Sequence, residues 1–244
     1  MLQHGVFPLP ELLQMTQKLG SEEMKRPVEI EFACNLNDDR TGELYLLQIR
    51  PIVDSKQMLD EDLAAIPDED CLLRSANSLG HGISEDVVDV VYVKAGDDFT
   101  AAENPYIADE IEQINRRFLA EDKNYVLIGP GRWGSSDYWL GIPVKWPHIS
   151  AARVIVETAL KNYHVDPSQG THFFQNLTSF GVGYFTINTF TGDGIFQQEV
   201  LDAMPAVEET AHVRHVRFDR PLRILMDGKK QLGVVQLPSL SAEA

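Results

Sequence analysis

Three stretches of this 244-residue chain carry residue types and spacings that could do chemistry. The first is "PVEIEFACNLNDDRTGELYLLQIRP", in which Glu29 and Glu31 alternate with Val28, Ile30 and Phe32, and Gln48 and Arg50 flank Ile49. Carboxylate and amide oxygens are the hard ligands that Mg²⁺ takes, and a guanidinium suits phosphate oxygens. The second is "GPGRWG", where Gly129, Gly131 and Gly134 have the G-x-G-x-x-G spacing of a dinucleotide loop. Arg132, Ser135 and Ser136 stand beside it as candidate anion contacts. The third is "SQGTHFFQNL", which places His172 directly after a glycine turn. His212 and His215 are also close in sequence, but on a strand a spacing of three puts them on opposite faces and argues against a shared metal site. No G-x-S-x-G, H-E-x-x-H or G-x-x-x-x-G-K-[ST] pattern occurs.

The elements that must position these residues can be read from periodicity. "VEIEFAC" alternates and "ELYLLQIRP" closes on Pro51, with turn residues "NLNDDRTG" between them, so the pair reads as a β-hairpin. If partner numbers sum to 79, Ile30 meets Ile49, Phe32 meets Leu47 and Cys34 meets Tyr45, giving one apolar face. The other face then sets Glu29 against Arg50 and Glu31 against Gln48. Read alone, that face is either solvated with an ordinary cross-strand ion pair or a site for a metal-bound phosphate. A helix over "LPELLQMTQKLG" precedes it, with Pro10 near its start and Gly20 as its stop.

"EIEF" followed by "LLQIRP", with the helix before them, resembles the closing segment of the ATP-grasp nucleotide-binding domain of the phosphoenolpyruvate synthase and pyruvate phosphate dikinase family. The resemblance covers about residues 8 to 53, with Glu29 where the family has Asp. It implies that Glu31 and Gln48 approach Mg²⁺ and the phosphates of ATP, and that Arg50 contacts the transferring phosphoryl group. Glu29 would be a second acidic neighbour. It also implies that the chain is the C-terminal part of a longer protein whose upstream ATP-grasp lobe supplies the remaining basic contacts, so that the fragment is inactive in isolation. The family has a swivelling domain with a phosphate-carrying histidine, and "GTH" at 170–172 matches its context in part; His172 is the corresponding candidate. Against that role, Phe173 and Phe174 read as packed surroundings.

The G-x-G-x-x-G context is less favourable. A dinucleotide loop must open a helix that offers its N-terminus to the pyrophosphate. Here "SSDYWLGIPVKWP" follows, with Pro143 and Pro147 and no helical stripe. A Gly/Pro loop pinned by Trp133, Tyr138, Trp139 and Trp146 is the simpler reading, with an anion contact at Arg132 as the alternative.

After an acidic stretch with a boundary near Asp54, residues 58–244 read as a separate domain. "VVDVVYVK", "YVLIG", "ARVIVET" and "VGYFTINTF" are strands, and "LRILMDGKKQLGVVQL" is a hairpin turning at Asp227–Gly228. "NPYIADEIEQINRRFL" is a helix capped by Asn104, with Ile107, Ile111, Ile114 and Phe118 as its buried stripe. The expected class is α/β or α+β: a partial ATP-grasp lobe ending in a hairpin (1–53), followed by a mixed α/β domain (58–244).

Twenty-one Lys and Arg face 37 Asp and Glu, a formal charge of -16. Such a surface repels nucleic acid and anionic membranes. The one basic stretch, "HVRHVRFDRPLR", reads as the outer face of a strand. Two cysteines, Cys34 and Cys71, form no disulfide framework, and no signal peptide or membrane span is evident, so a cytoplasmic protein is expected. The implied function is ATP- and Mg²⁺-dependent phosphoryl transfer to a small-molecule acceptor. The alternative is a non-catalytic regulatory or interaction module that keeps the hairpin as scaffold.

Overall fold

The computed structural model describes residues 7–24, 28–37, 41–51, 61–96, 99–160, 177 and 180–238. They divide into two compact units, Met1–Asp54 and Ser55–Ala244.

In the first unit, helix α1 (Leu9–Met24) packs on an antiparallel hairpin of β1 (Val28–Leu36) and β2 (Gly42–Pro51). Gly20 does not stop the helix, contrary to the sequence expectation; α1 continues to Met24. A Cβ at Gly20 would stand 2.3 Å from Cδ1 of Ile49 and 3.0 Å from Cγ2 of Val28, so this glycine permits close approach of helix to strand.

The hairpin has the expected register from Val28↔Pro51 through Glu31↔Gln48, and then departs from it. A bulge shifts the ladder by one residue, so Phe32 faces Leu46 rather than Leu47, and Cys34 faces Leu44 rather than Tyr45. The run "LYLL" explains the slip. Moving one residue groups Leu44 and Leu46 with Phe32 and Cys34, and turns Tyr45 to the polar face, where its hydroxyl donates to Glu43 Oε2 at 2.6 Å.

The second unit contains β3 (Cys71–Ser75), β4 (Asn77–Leu79), β5 (Gly82–Val93), α2 (Asn104–Ala120), β6 (Tyr125–Pro130), β7 (Arg132–Trp133) and β8 (Gly141–Ile142). It continues through α3 (Trp146–Ile149), β9 (Ala152–Thr158), β10 (Gly183–Ile187), β11 (Ile195–Phe196), α4 (Gln198–Ala203), β12 (Ala206–Glu209), β13 (Val213–Asp227) and β14 (Leu232–Gln236). The class is mixed α/β with one dominant sheet. Ten strands run in the order β11-β3-β14-β13-β5-β6-β9-β10-β4, with β12 added beside β13. β5, β6, β9 and β10 are mutually parallel, and the remaining pairings are antiparallel.

Strands β3 and β4 are separated only by Ala76 yet lie far apart along this order, so the sheet must curl back on itself. Ser75 Oγ seals the junction by donating to the Thr186 carbonyl of β10 at 2.6 Å. Inside the curl, Leu73, Val90, Val126, Val156, Phe185 and Val235 belong to one buried cluster. An added Cβ at Gly233 would fall 2.4 Å from the Phe185 ring, which shows how tightly opposite walls meet.

The outer face of the parallel strands is also apolar and lies under α2, whose Ile107, Ile111, Ile114 and Phe118 are all buried. Burial on both faces accounts for the unbroken apolar runs in β5, β6 and β9. Asn104 is the first helical residue and not the cap; it is buried and donates Nδ2 to the Tyr138 carbonyl at 2.7 Å. The β13–β14 turn also differs from the expected two-residue form. Asp227 pairs with Leu232, four residues intervene, and Gln231 takes the left-handed conformation at φ 56°. No helix among the described residues is long and apolar enough to cross a membrane.

Candidate functional site

The hairpin brings Glu31 and Gln48 directly opposite one another, next to the Glu29↔Arg50 pair. Strand alternation puts these four positions on one face of the ladder. The other face carries Val28 and Ile49, the residues that meet α1 at Gly20. Glu31 and Gln48 are exposed, so the polar face is open to solvent. Glu29 and Arg50 are placed by their backbones, and His172 lies outside the described residues. Among the described residues no group of three or more His, Cys, Asp or Glu could close around a metal ion. The donor set at 31 and 48 is instead one carboxylate and one amide, which suits a Mg²⁺ that takes its other oxygens from a nucleotide and water.

The G-x-G-x-x-G stretch is built otherwise. Gly131 N–H donates to Thr158 O, Arg132 N–H to Leu140 O, and Gly134 N–H to Ile142 O. Trp133 N–H donates to Glu157 Oε1 at 3.1 Å, so the chain's own buried carboxylate sits where a phosphate cradle would bind its anion. The Trp133 ring is buried, and its Nε1 donates to Val156 O at 2.9 Å. Gly131 and Gly134 adopt φ of 68° and 76°, which the tight turn requires. No helix starts at Gly134; the next, α3, begins at Trp146. Of the four aromatic pins expected, Trp133 is fully buried, whereas Tyr138 and Trp139 are exposed and pack on each other. The backbone N–H groups of residues 131–134 are all used internally, and Arg132, half-buried, is placed in this turn.

Sequence reasoning missed a buried charge cluster on the outer face of the sheet. Asp89, an acid inside the apolar run of β5, is 1% exposed. It accepts from His215 Nε2 at 2.6 Å and from Arg217 Nε at 2.7 Å, with Arg217 Nη2 on its second oxygen at 3.2 Å. Burial alone would raise its carboxyl, but the bonds from His215 and Arg217 outweigh that and hold it below the ordinary range. A charge interrupting an otherwise apolar strand was the available signal.

His212 and His215 do not point to opposite sides, contrary to the sequence expectation. His212 precedes β13 in a bend and pairs through Nδ1 with Glu110 of α2 at 2.8 Å, while His215 packs edge-on to Phe118 of the same helix. Each has its own carboxylate. A recess of about 360 Å³ beside this cluster is lined by Arg117, Phe118, Glu121, Glu208, His215 and Arg217, but its charges are paired internally: Arg117 with Glu208, and Glu121 with Lys123. Along β13, Arg214 pairs with Glu209, Arg217 with Asp89, and Arg223 with Glu61 and Glu85.

A larger cavity, about 550 Å³, opens at the C-terminal ends of the parallel strands, between segments after β5 (Ala95, Gly96, Phe99), β9 (Ala159, Leu160) and β10 (Thr189, Phe190).

Comparisons with protein-family models, with characterised proteins and with solved structures return no match.

Proposed function

We propose that the chain is part of an ATP-dependent phosphotransferase of the phosphoenolpyruvate synthase type, with its first unit as the closing segment of an ATP-grasp lobe. The observation that carries this reading is the cross-strand register: position 31 opposite 48 and position 29 opposite 50, on the face of the ladder opposite Val28 and Ile49. In this reading Glu31 and Gln48 hold Mg²⁺, with Glu29 as the acidic neighbour. The ion would screen the negative charge of the phosphates and so favour nucleophilic attack on phosphorus. Arg50 offers its planar fork of N–H donors to the phosphoryl oxygens, bidentate where a lysine would be a point charge. Phosphoryl transfer asks little covalent chemistry of the protein, so holding and neutralising the phosphates is the contribution expected of such a face. The remaining contacts would come from an upstream ATP-grasp lobe, and the acceptor is a small molecule.

Calorimetry with Mg²⁺–ATP on the full-length gene product tests this. Binding is expected in the wild type and lost in Glu31→Gln and in Arg50→Ala, with both variants folded by circular dichroism. Unchanged affinity in both folded variants contradicts the assignment.

A further inference from the structure

The cavity at the C-terminal edge of β5, β6, β9 and β10 lies far from the role given to the hairpin in sequence and chemistry. We propose that it is a second ligand site, selective for an uncharged heteroaromatic ring of nucleobase type. Its position is the first argument: it lies beyond the carboxyl ends of the four parallel strands, in the loops that follow them, the end at which parallel α/β strands commonly present ligands. Its size is the second: about 550 Å³ lies within the range of small-molecule pockets.

The lining decides the chemistry. Phe99, Trp139, Phe190 and Phe196 supply aromatic faces, and no charged side chain is among the described lining residues. Among the described lining residues a phosphate or carboxylate finds no counter-charge, while a neutral π-system finds several partners. Trp139 is 56% exposed and Phe190 is 53% exposed, so both rings present apolar surface to solvent at a pocket they line. Covering them with a ring removes apolar surface from water on both partners. Polar selectivity comes from Thr158, Thr189 and Gln198. Thr158 Oγ1 donates to Gly129 O at 3.2 Å, which leaves its lone pairs as acceptors. Gln198 uses Nε2 on Asp202 at 3.4 Å, so its carbonyl oxygen is available to an exocyclic amine or ring N–H. Acceptors and several π-faces, uncharged among the described lining residues, suit a base edge, and the ribose control distinguishes it from a sugar.

The test uses adenosine as probe, with ribose and cyclohexanol as controls, on the full-length protein by saturation-transfer NMR and tryptophan fluorescence. Adenosine is expected to bind the wild type; because it carries no phosphate or metal for Glu31 to engage, the two aromatic variants are what separate this site from the proposed ATP site. Trp139→Ala and Phe190→Ala, both at exposed positions that leave the core intact, should each weaken it about tenfold or more, the scale of one lost base–aromatic stack. Neither control should bind measurably. The proposal is overturned if adenosine fails to bind at millimolar concentration, or if cyclohexanol binds as well as adenosine. It is equally overturned if adenosine binding is untouched in the two aromatic variants, which would assign the adenosine to another pocket.

Discussion

The two units put their charged residues to contrasting uses. In the hairpin, Glu31 and Gln48 face each other on an exposed strand surface, while Val28 and Ile49 meet α1 at Gly20. In the curled sheet, Asp89 is buried beneath α2 and bonded by His215 and Arg217, and Glu110 accepts from His212 at 2.8 Å and from Thr210 Oγ1 at 2.5 Å. Burying a carboxylate is tolerated only when partners replace its water, so the second arrangement is structural. Glu31 and Gln48 instead stand on an exposed surface, where the proposed ligand role can be tested without unpairing a buried carboxylate. The same contrast separates two glycine-rich features: Gly20 lets α1 approach the hairpin, while the "GPGRWG" turn closes over the chain's own Glu157.

The sharpest break of this comparison is Trp133→Ala. If the turn is a structural plug, removing its buried ring should destabilise the second unit by about 4 kcal/mol in chemical denaturation. A phosphate loop would lose ligand affinity and little stability. Next is Asp89→Ala, which strips a buried histidine and a half-exposed arginine of their shared partner and should cost about 3 kcal/mol.

The pH dependence of the same pair follows from its sign. The folded Asp89 carboxyl titrates below its ordinary value, so its contribution to stability is complete above about pH 4 and is lost as pH falls through the lower, folded value. Thermal melts between about pH 5 and 2 should therefore show a slope that Asp89→Asn flattens; an equal slope in that variant would assign the acid lability to other carboxylates.

The smaller effects belong to the first unit. Gly20→Ala gains about 1 kcal/mol of helix propensity but drives a methyl against Ile49, so its net effect should be under about 1 kcal/mol. Adding Ile49→Val, which removes the Cδ1 that blocks the methyl, should make the double variant more stable than Gly20→Ala alone. Were Gly20 a helix stop, Ile49→Val would relieve nothing. Glu31→Gln, at an exposed position, should change stability by less than about 0.5 kcal/mol.

Much of this architecture was legible because it rests on short-range pattern. The stripe of Ile107, Ile111, Ile114 and Phe118 announces α2, and the alternation from Val28 to Glu31 fixes the hairpin register up to the bulge. What was hidden depends on contacts distant in sequence. The bulge after Glu31 reflects a choice among consecutive leucines that no local rule ranks. Gly20 looks like a helix stop until Ile49, 29 positions later, is known to touch it. The curl of the sheet depends on Ser75 reaching Thr186, a separation of 111 residues. At the candidate sites, the types at 29, 31, 48 and 50 were readable. The meeting of Thr158, Thr189 and Gln198 around one cavity was not, since Thr and Gln carry no pattern of their own.

The most direct test of the central claim is paramagnetic NMR on the isotope-labelled full-length protein, with Mn²⁺–ATP in place of Mg²⁺–ATP. The account predicts relaxation broadening centred on the amides of Glu31 and Gln48, fading toward Asn35 and Glu43 at the turn and absent from residues 131–134. Broadening centred on the "GPGRWG" turn, with residues 28–51 unaffected, would contradict it.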